Sequence, residues 1–419
     1  VMQFQNIANA CGIFTSDSGI RILTDPWIVD GVFDGSWCHF HPLETTLENL
    51  QDVDAIYVSH LHPDHYDPNN FNFRKDIPIF ILNHGKNFLH KNLSNAGFTN
   101  LILIKDKETV TFEDYEITMF AEFSTHNFAD STIGTLIDSG IILESNGVVA
   151  FNPNDNKPDI KSCLEIKEQY GHIDLVLLNS NAAGPYPACF DNLNDTEKLQ
   201  EKELIEEKYM DYGFKCIQIL EPSYVVPFAG FYALGGSQHH KNKYLASLNP
   251  QECAEYLNKR IDFNTSAIPL RENDVLDIKT GIPNRKFIPF NSQELYEYAH
   301  DVLSLHKYDH EEDDLPDMQT LVVDVKQAAL NMQEKWKKFN YTPDMELEIN
   351  VEGEKINICK PPSNSKGVIT CSLDSRLLRR VLNKESNWNN AEIGCHVDFN
   401  RTPNYFSPDL HTMMAFFHL

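Results

Sequence analysis

The chain has 419 residues, 42% of them hydrophobic, enough for two or three domains of ordinary size with full cores. Its 35 Lys and Arg stand against 61 Asp and Glu, a formal net charge of −26, and that field repels nucleic acid and anionic lipid, so neither is expected as a partner. No apolar run approaches the roughly 20 residues of a membrane span, and the opening VMQFQNIANACGIF lacks the basic-then-apolar order of a leader. The 9 cysteines form no CxxC pair and suit reduced thiols, so a cytoplasmic protein is expected.

In chain order, GIFTSD and GIRILTDP predict two strands turning at Ser18-Gly19, the second closing on Asp25-Pro26. VDAIYVSH reads as a strand buried on both faces that opens onto a polar loop. IPIFILN, NLILIK, ETVTFEDYEITMFAEF, GTLIDSGIILES, GVVAFNP, HIDLVLLNS and EPSYVVPF continue the series, with a helix predicted over Thr196–Tyr209. Strands in hairpins, then alternating with helices, predict a layered α/β domain over residues 1–250, with helices outside two sheets. PQECAEYLNKRI and SQELYEYAHDVLSLHKY predict a helical extension over 251–317, ending in the acidic boundary DHEEDDLPD. Residues 318–419 predict an additional C-terminal α+β module: the amphipathic helix TLVVDVKQAALNMQEKWKKF, then LEINVEGEKINICK turning at Gly353, then GVITCSLDSRLLRRVL. Its element order resembles a sterol-carrier-like module. The apolar helix face is expected to dock on the preceding domain or on a second subunit of a homodimer.

The chemistry-bearing segment is Ser59-His60-Leu61-His62-Pro63-Asp64-His65, at the end of the predicted buried strand. Three imidazoles and a carboxylate in one loop supply nitrogen and oxygen ligands to a metal, and burying them at a strand end without one is costly. No GxSxG, P-loop or GxGxxG is present, so serine hydrolase, NTPase and dinucleotide readings lack their defining parts.

With this HxHxDH loop the chain resembles the metallo-β-lactamase superfamily over roughly residues 1–250, which implies an αββα sandwich. The resemblance implies further ligands: His126, with Glu122 as its rival; Asp155 after the strand GVVAF; and His239, with His240 as the alternative. His60, His62 and His126 would then hold one metal and Asp64, His65 and His239 the other, with Asp155 between them. Asp64 and Asp155 are the catalytic candidates, able to orient a metal-bound hydroxide. Asn181, Tyr186, Lys241, Asn242 and Tyr244 are candidates for substrate contact, and Asp25 and Trp27 for lining the entrance. An all N/O site suits iron, zinc or manganese.

Three stretches narrow the match. GIRILTDPWIVDGVFDGSW, PFAGFYALGGSQHHKNKY and NWNNAEIGCHVDFNRTPNYFSPDLHTMMAFFHL resemble the metallo-β-lactamase-type part of CMP-N-acetylneuraminate hydroxylase and its bacterial relatives. That implies two irons and an oxygenase or hydroxylase acting on a small metabolite, and a diiron β-hydroxylase of chloramphenicol biosynthesis is built on the same fold. The CxH element of a Rieske domain is absent from this chain, Cys38 and His41 forming a lone CxxH, so an oxygenase would take electrons from an external donor protein, from a domain outside this sequence or from the substrate itself. The alternatives are a dinuclear zinc hydrolase of a phosphodiester, lactone or amide, and a binding protein whose site has decayed.

Overall fold

The computed structural model describes residues 1–124 and 137–419. Two sheets face each other. The first runs, in spatial order, Ile282–Pro283, Val275–Asp277, Gln3–Ala8, Cys11–Thr15, Arg21–Thr24, Ala55–Tyr57, Ile79–Leu82 and Leu101–Ile104. The second runs Ser266–Ala267, Tyr224–Phe228, Leu175–Asn179, Val148–Asn152, Gly140–Ser145, Tyr115–Phe120 and Thr109–Phe112.

Successive side chains of a strand point to opposite faces, and these strands are apolar on both. Phe14, Ile22, Tyr57 and Phe80 point inward and meet Ile117, Ile141, Leu175 and Val226 of the second sheet. Their neighbours Ile13, Leu23, Ile56 and Ile79 point outward onto Leu89 and Leu93 of the helix Phe88–Asn95. Behind the second sheet, Ile142, Val149 and Val225 pack on Ile166 of the helix Ile160–Tyr170 and on Ile217 and Leu220 of the helix Asp195–Leu220. The architecture is the helix–sheet–sheet–helix sandwich that the strand pattern predicts.

Two elements differ from the sequence reading. The helix expected over 196–209 continues to Leu220, because Met210, Cys216, Ile217 and Leu220 bury a second, apolar half behind an acidic, exposed first half. The segment 251–317 is not helical throughout: Ser266–Ala267 and Val275–Asp277 extend the two sheets at their edges. Strands of two or three residues are too short to show alternation in sequence.

In the C-terminal segment the helix Met318–Lys338 covers a four-stranded sheet ordered Glu354–Cys359, Glu346–Val351, Val368–Ser372, Asp398–Thr402. Leu321, Val325, Met332 and Trp336 on its apolar face share one continuous buried cluster with Trp27, Phe33, Trp37 and Phe190 of the sandwich. Phe190 stacks on Phe399 with ring centroids 4.9 Å apart. The module therefore docks on the sandwich of its own chain. Among the described residues, no helix is long and apolar enough to cross a membrane.

Candidate metal centre

The strand Ala55–Tyr57 lies between two parallel neighbours, so the chain leaves its C-terminal end at an edge where no hydrogen-bonded ladder continues. Residues 58–65 turn there. Val148–Asn152 and Leu175–Asn179 of the facing sheet run parallel to each other and deliver Asp155 and Asn179 to the same place. Gly140–Ser145 runs antiparallel to Val148–Asn152, so its start meets that end and Asp138 precedes it.

These side chains converge on one point. Nε2 of His60 lies 2.9 Å from Nδ1 of His62, 3.2 Å from a carboxylate oxygen of Asp138 and 3.7 Å from one of Asp155. Nε2 of His65 lies 3.1 Å from Asp155 and 3.2 Å from Asp64. Two groups result, His60, His62 and Asp138, and His60, His65 and Asp155, with the donor atoms of each within 4.8 Å of one another. Around them, Asp25 accepts from Nδ1 of His65 at 2.6 Å and from the backbone N–H and hydroxyl of Ser59 at 2.7 and 2.6 Å. The Ser59 hydroxyl also lies 2.9 Å from Nδ1 of His60. Asn179 donates to Asp155 at 2.7 Å, and Tyr209 donates to Asn179 at 3.3 Å.

Burial together with like charges on His65 and His62 pushes the His60 imidazole well below the ordinary histidine range, so it is neutral. Burial also opposes charge on His65, but Asp64, Asp155 and Asp25 outweigh it and hold the imidazole well above that range. Burial would raise Asp155, yet the charge and hydrogen bond of His65 outweigh it and depress the carboxyl. Asp138 goes the other way: burial, with Glu122 and Asp155 as like charges, raises it strongly.

The donor set fits metal ions. Oδ1 of Asp138 is buried without a hydrogen-bond partner, and ring nitrogens of His60 and His62 face each other across 2.9 Å. A metal cation satisfies such atoms together, favouring neutral imidazole and ionised carboxylate. The outer contacts match what holds metal-ligating imidazoles in orientation: a carboxylate behind His65 and a hydroxyl behind His60.

Of the sequence candidates, the structure brings together His60, His62, Asp64, His65 and Asp155. His126 lies outside the described residues. Glu122 sits at the rim, accepting from the backbone N–H of Asp138 at 3.2 Å. His239 and His240 are not brought to the cluster. After Phe228 the chain does not stop at the sheet edge: Ala233–Leu234 pairs with Trp37–Cys38 in a separate small sheet, and the 3-10 helix Gly236–Tyr244 then carries His239 against His300, an exposed residue.

The substrate-contact candidates make contacts within the fold. Lys241 is buried, its ammonium on Asp398 at 2.6 Å and on the Cys395 carbonyl at 2.9 Å. Asn242 bridges the backbone of Leu234, the Tyr244 hydroxyl donates to Asp195, and Asn181 accepts from Leu248. The Tyr186 hydroxyl accepts from Asn404, beneath Arg401. Asp25 does not line an entrance but lies fully buried behind His65, while Trp27 is core. Sequence reasoning missed Asp138, since LIDSG reads as strand interior although the strand begins only at Gly140.

Residues 20–196, which contain every donor named above, match the family model of the beta-lactamase superfamily domain. The helix–sheet–sheet–helix sandwich over these residues agrees with that match. Over 240 residues the chain is 30% identical to a Mycolicibacterium smegmatis protein named as a Rieske 2Fe-2S iron-sulfur protein, covering 55% of this chain and 43% of that one. Over 277 residues it is 24% identical to the cytidine monophosphate-N-acetylneuraminic acid hydroxylase of Danio rerio, covering 63% of this chain and 44% of the relative. The chain thus spans less than half the length of these curated relatives. Among solved structures it is similar to the isothiocyanate hydrolase from Delia radicum gut bacteria, with 18% identity and a TM-score of 0.47 over 66% of this chain and 99% of that one.

Proposed function

We propose that the chain binds two iron ions and is the oxygenase component of a system that hydroxylates a small metabolite, its electrons supplied by a separate iron–sulfur domain or protein. The observation that carries this reading is a carboxylate-rich, thiolate-free donor cluster inside residues 20–196 of a chain that is similar to a hydroxylase and to a Rieske-named protein. Bound iron would supply redox chemistry towards dioxygen. His60, His62, His65, Asp138 and Asp155 would hold the ions, with Asp64 beside His65. Asp25 and Ser59 fix the ring angles of His65 and His60, and Asn179 fixes Asp155.

The test is metal analysis of protein expressed without added metal, followed by oxygen uptake with a chemical reductant and candidate substrates. Iron in the isolated protein, and uptake that requires both reductant and substrate, is the expected result. Zinc-loaded protein turning over a phosphodiester or lactone under anaerobic conditions would replace the oxygenase reading with a hydrolase.

A further inference from the structure

A polar cavity of about 400 Å³ lies where the 3-10 helix Gly236–Tyr244 and the segment around Tyr308 meet the C-terminal module, and none of the metal-site donors lines it. One corner is built of three rings in mutual contact. Tyr308 meets His396 edge-on with centroids 4.7 Å apart, and His310 lies 5.7 Å from both. Tyr308 is locked there, donating to the Gly235 carbonyl at 2.6 Å and accepting from the Gln238 backbone at 2.8 Å.

The module also contributes Asn350, Glu352, Ser372, Asp374 and Asp398 to the lining, which is rich in acceptors. Asn350 donates to Ser372 at 3.1 Å, which leaves its Oδ1 buried without a partner. Nδ1 of His310, a residue only 3% exposed, is likewise buried and unpartnered. Each unsatisfied buried atom of this kind costs about 1–3 kcal/mol unless something fills the space and completes it.

Charge narrows what that is. Arg376, which lines the cavity, is already engaged in a forked pair with Asp374 at 3.0 and 2.9 Å, and Asp398 in the same wall is paired with Lys241 at 2.6 Å. Glu352, at the turn between two module strands, accepts from Ser375 at 2.9 Å and is in no ion pair among the described residues. A carboxylate outside any ion pair among the described residues, two unsatisfied buried polar atoms and three neighbouring aromatic rings together favour a cation that carries N–H donors.

We infer that this cavity binds a small primary amine, its ammonium group taken between Glu352, Asn350 and the Tyr308–His310–His396 corner. The site is independent of the metal reading. Its position between sandwich and module means that a ligand there ties the two together.

The probe is 1,4-diaminobutane, with 1,4-butanediol as its neutral analogue of the same length, each titrated calorimetrically into the full chain at matched ionic strength. Saturable binding of the diamine at least about tenfold tighter than the diol is expected. Glu352→Gln, at an exposed turn that tolerates it, should lose at least that factor, and His310→Phe should lose binding while thermal unfolding reports whether its fold survives. Metal content should be unchanged in both. Equal affinity for diamine and diol, no binding of either, or a diamine affinity that Glu352→Gln leaves untouched would overturn the proposal, the last because it would assign the binding to the general acidic field of the surface.

Discussion

The carboxylate of Asp25 lies 2.6 Å from Nδ1 of His65, and the opposite nitrogen of the same ring faces Asp155 at 3.1 Å. Asp25 is itself fully buried and pinned by Ser59. A carboxylate placed behind an imidazole sets its tautomer and its angle towards a metal. Asp25→Asn is therefore expected to weaken metal binding about 10- to 100-fold without unfolding the sandwich. A competition titration against a chelator measures this, and unchanged affinity would leave Asp25 with a packing role alone.

His60→Ala and Asp138→Ala are each expected to lose bound metal and metal-dependent turnover while far-ultraviolet circular dichroism stays unchanged. The sheets are held by the apolar clusters around Phe14, Ile141 and Val226, to which neither residue belongs. Asp64→Ala should behave in the same way, given its position 3.2 Å from His65. Full metal content in the Asp138 variant would remove that carboxylate from the ligand set.

Phe399→Ala should destabilise the whole chain rather than the module alone, by about 3–5 kcal/mol, because it empties a fully buried position in a cluster shared by both parts. A fragment of residues 1–315 should be insoluble, since it exposes Phe33, Trp37 and Phe190. Urea unfolding that leaves the sandwich transition in place while the module melts early would contradict this continuity.

Glu206 offers a prediction about pH. Burial, assisted by Glu252 against the opposing charge of Lys202, raises its carboxyl to about 7, and its Oε1 has no hydrogen-bond partner. A carboxyl raised on folding is best tolerated while protonated, so its contribution is harmless below the unfolded value near 4.5 and becomes destabilising as pH rises towards 7. Glu206→Gln should therefore stabilise the protein by about 1–3 kcal/mol at pH 8. The two proteins should unfold at the same temperature at pH 4. Equal melting temperatures at pH 8 as well would remove the buried-acid interpretation.

The sequence by itself determined the sandwich and the heart of the site. Strands such as VDAIYVSH and GVVAFNP announce burial through local pattern, and His60, His62, Asp64 and His65 sit within one loop, so their convergence is a local property of the chain. The resemblance already implied Asp155, whereas only the tertiary structure added Asp138 and placed Asp25 behind the loop. Asp138 and Asp155 arrive because the strands flanking them pair within the facing sheet, and Asp25 because Arg21–Thr24 lies beside Ala55–Tyr57. The same long-range pairing separates what the linear order suggests: Ala233–Leu234 bonds to Trp37–Cys38 and carries His239 away, and Lys241 meets Asp398 of the module. Such contacts depend on strand order and on the docking of the C-terminal helix, which no short window of sequence encodes.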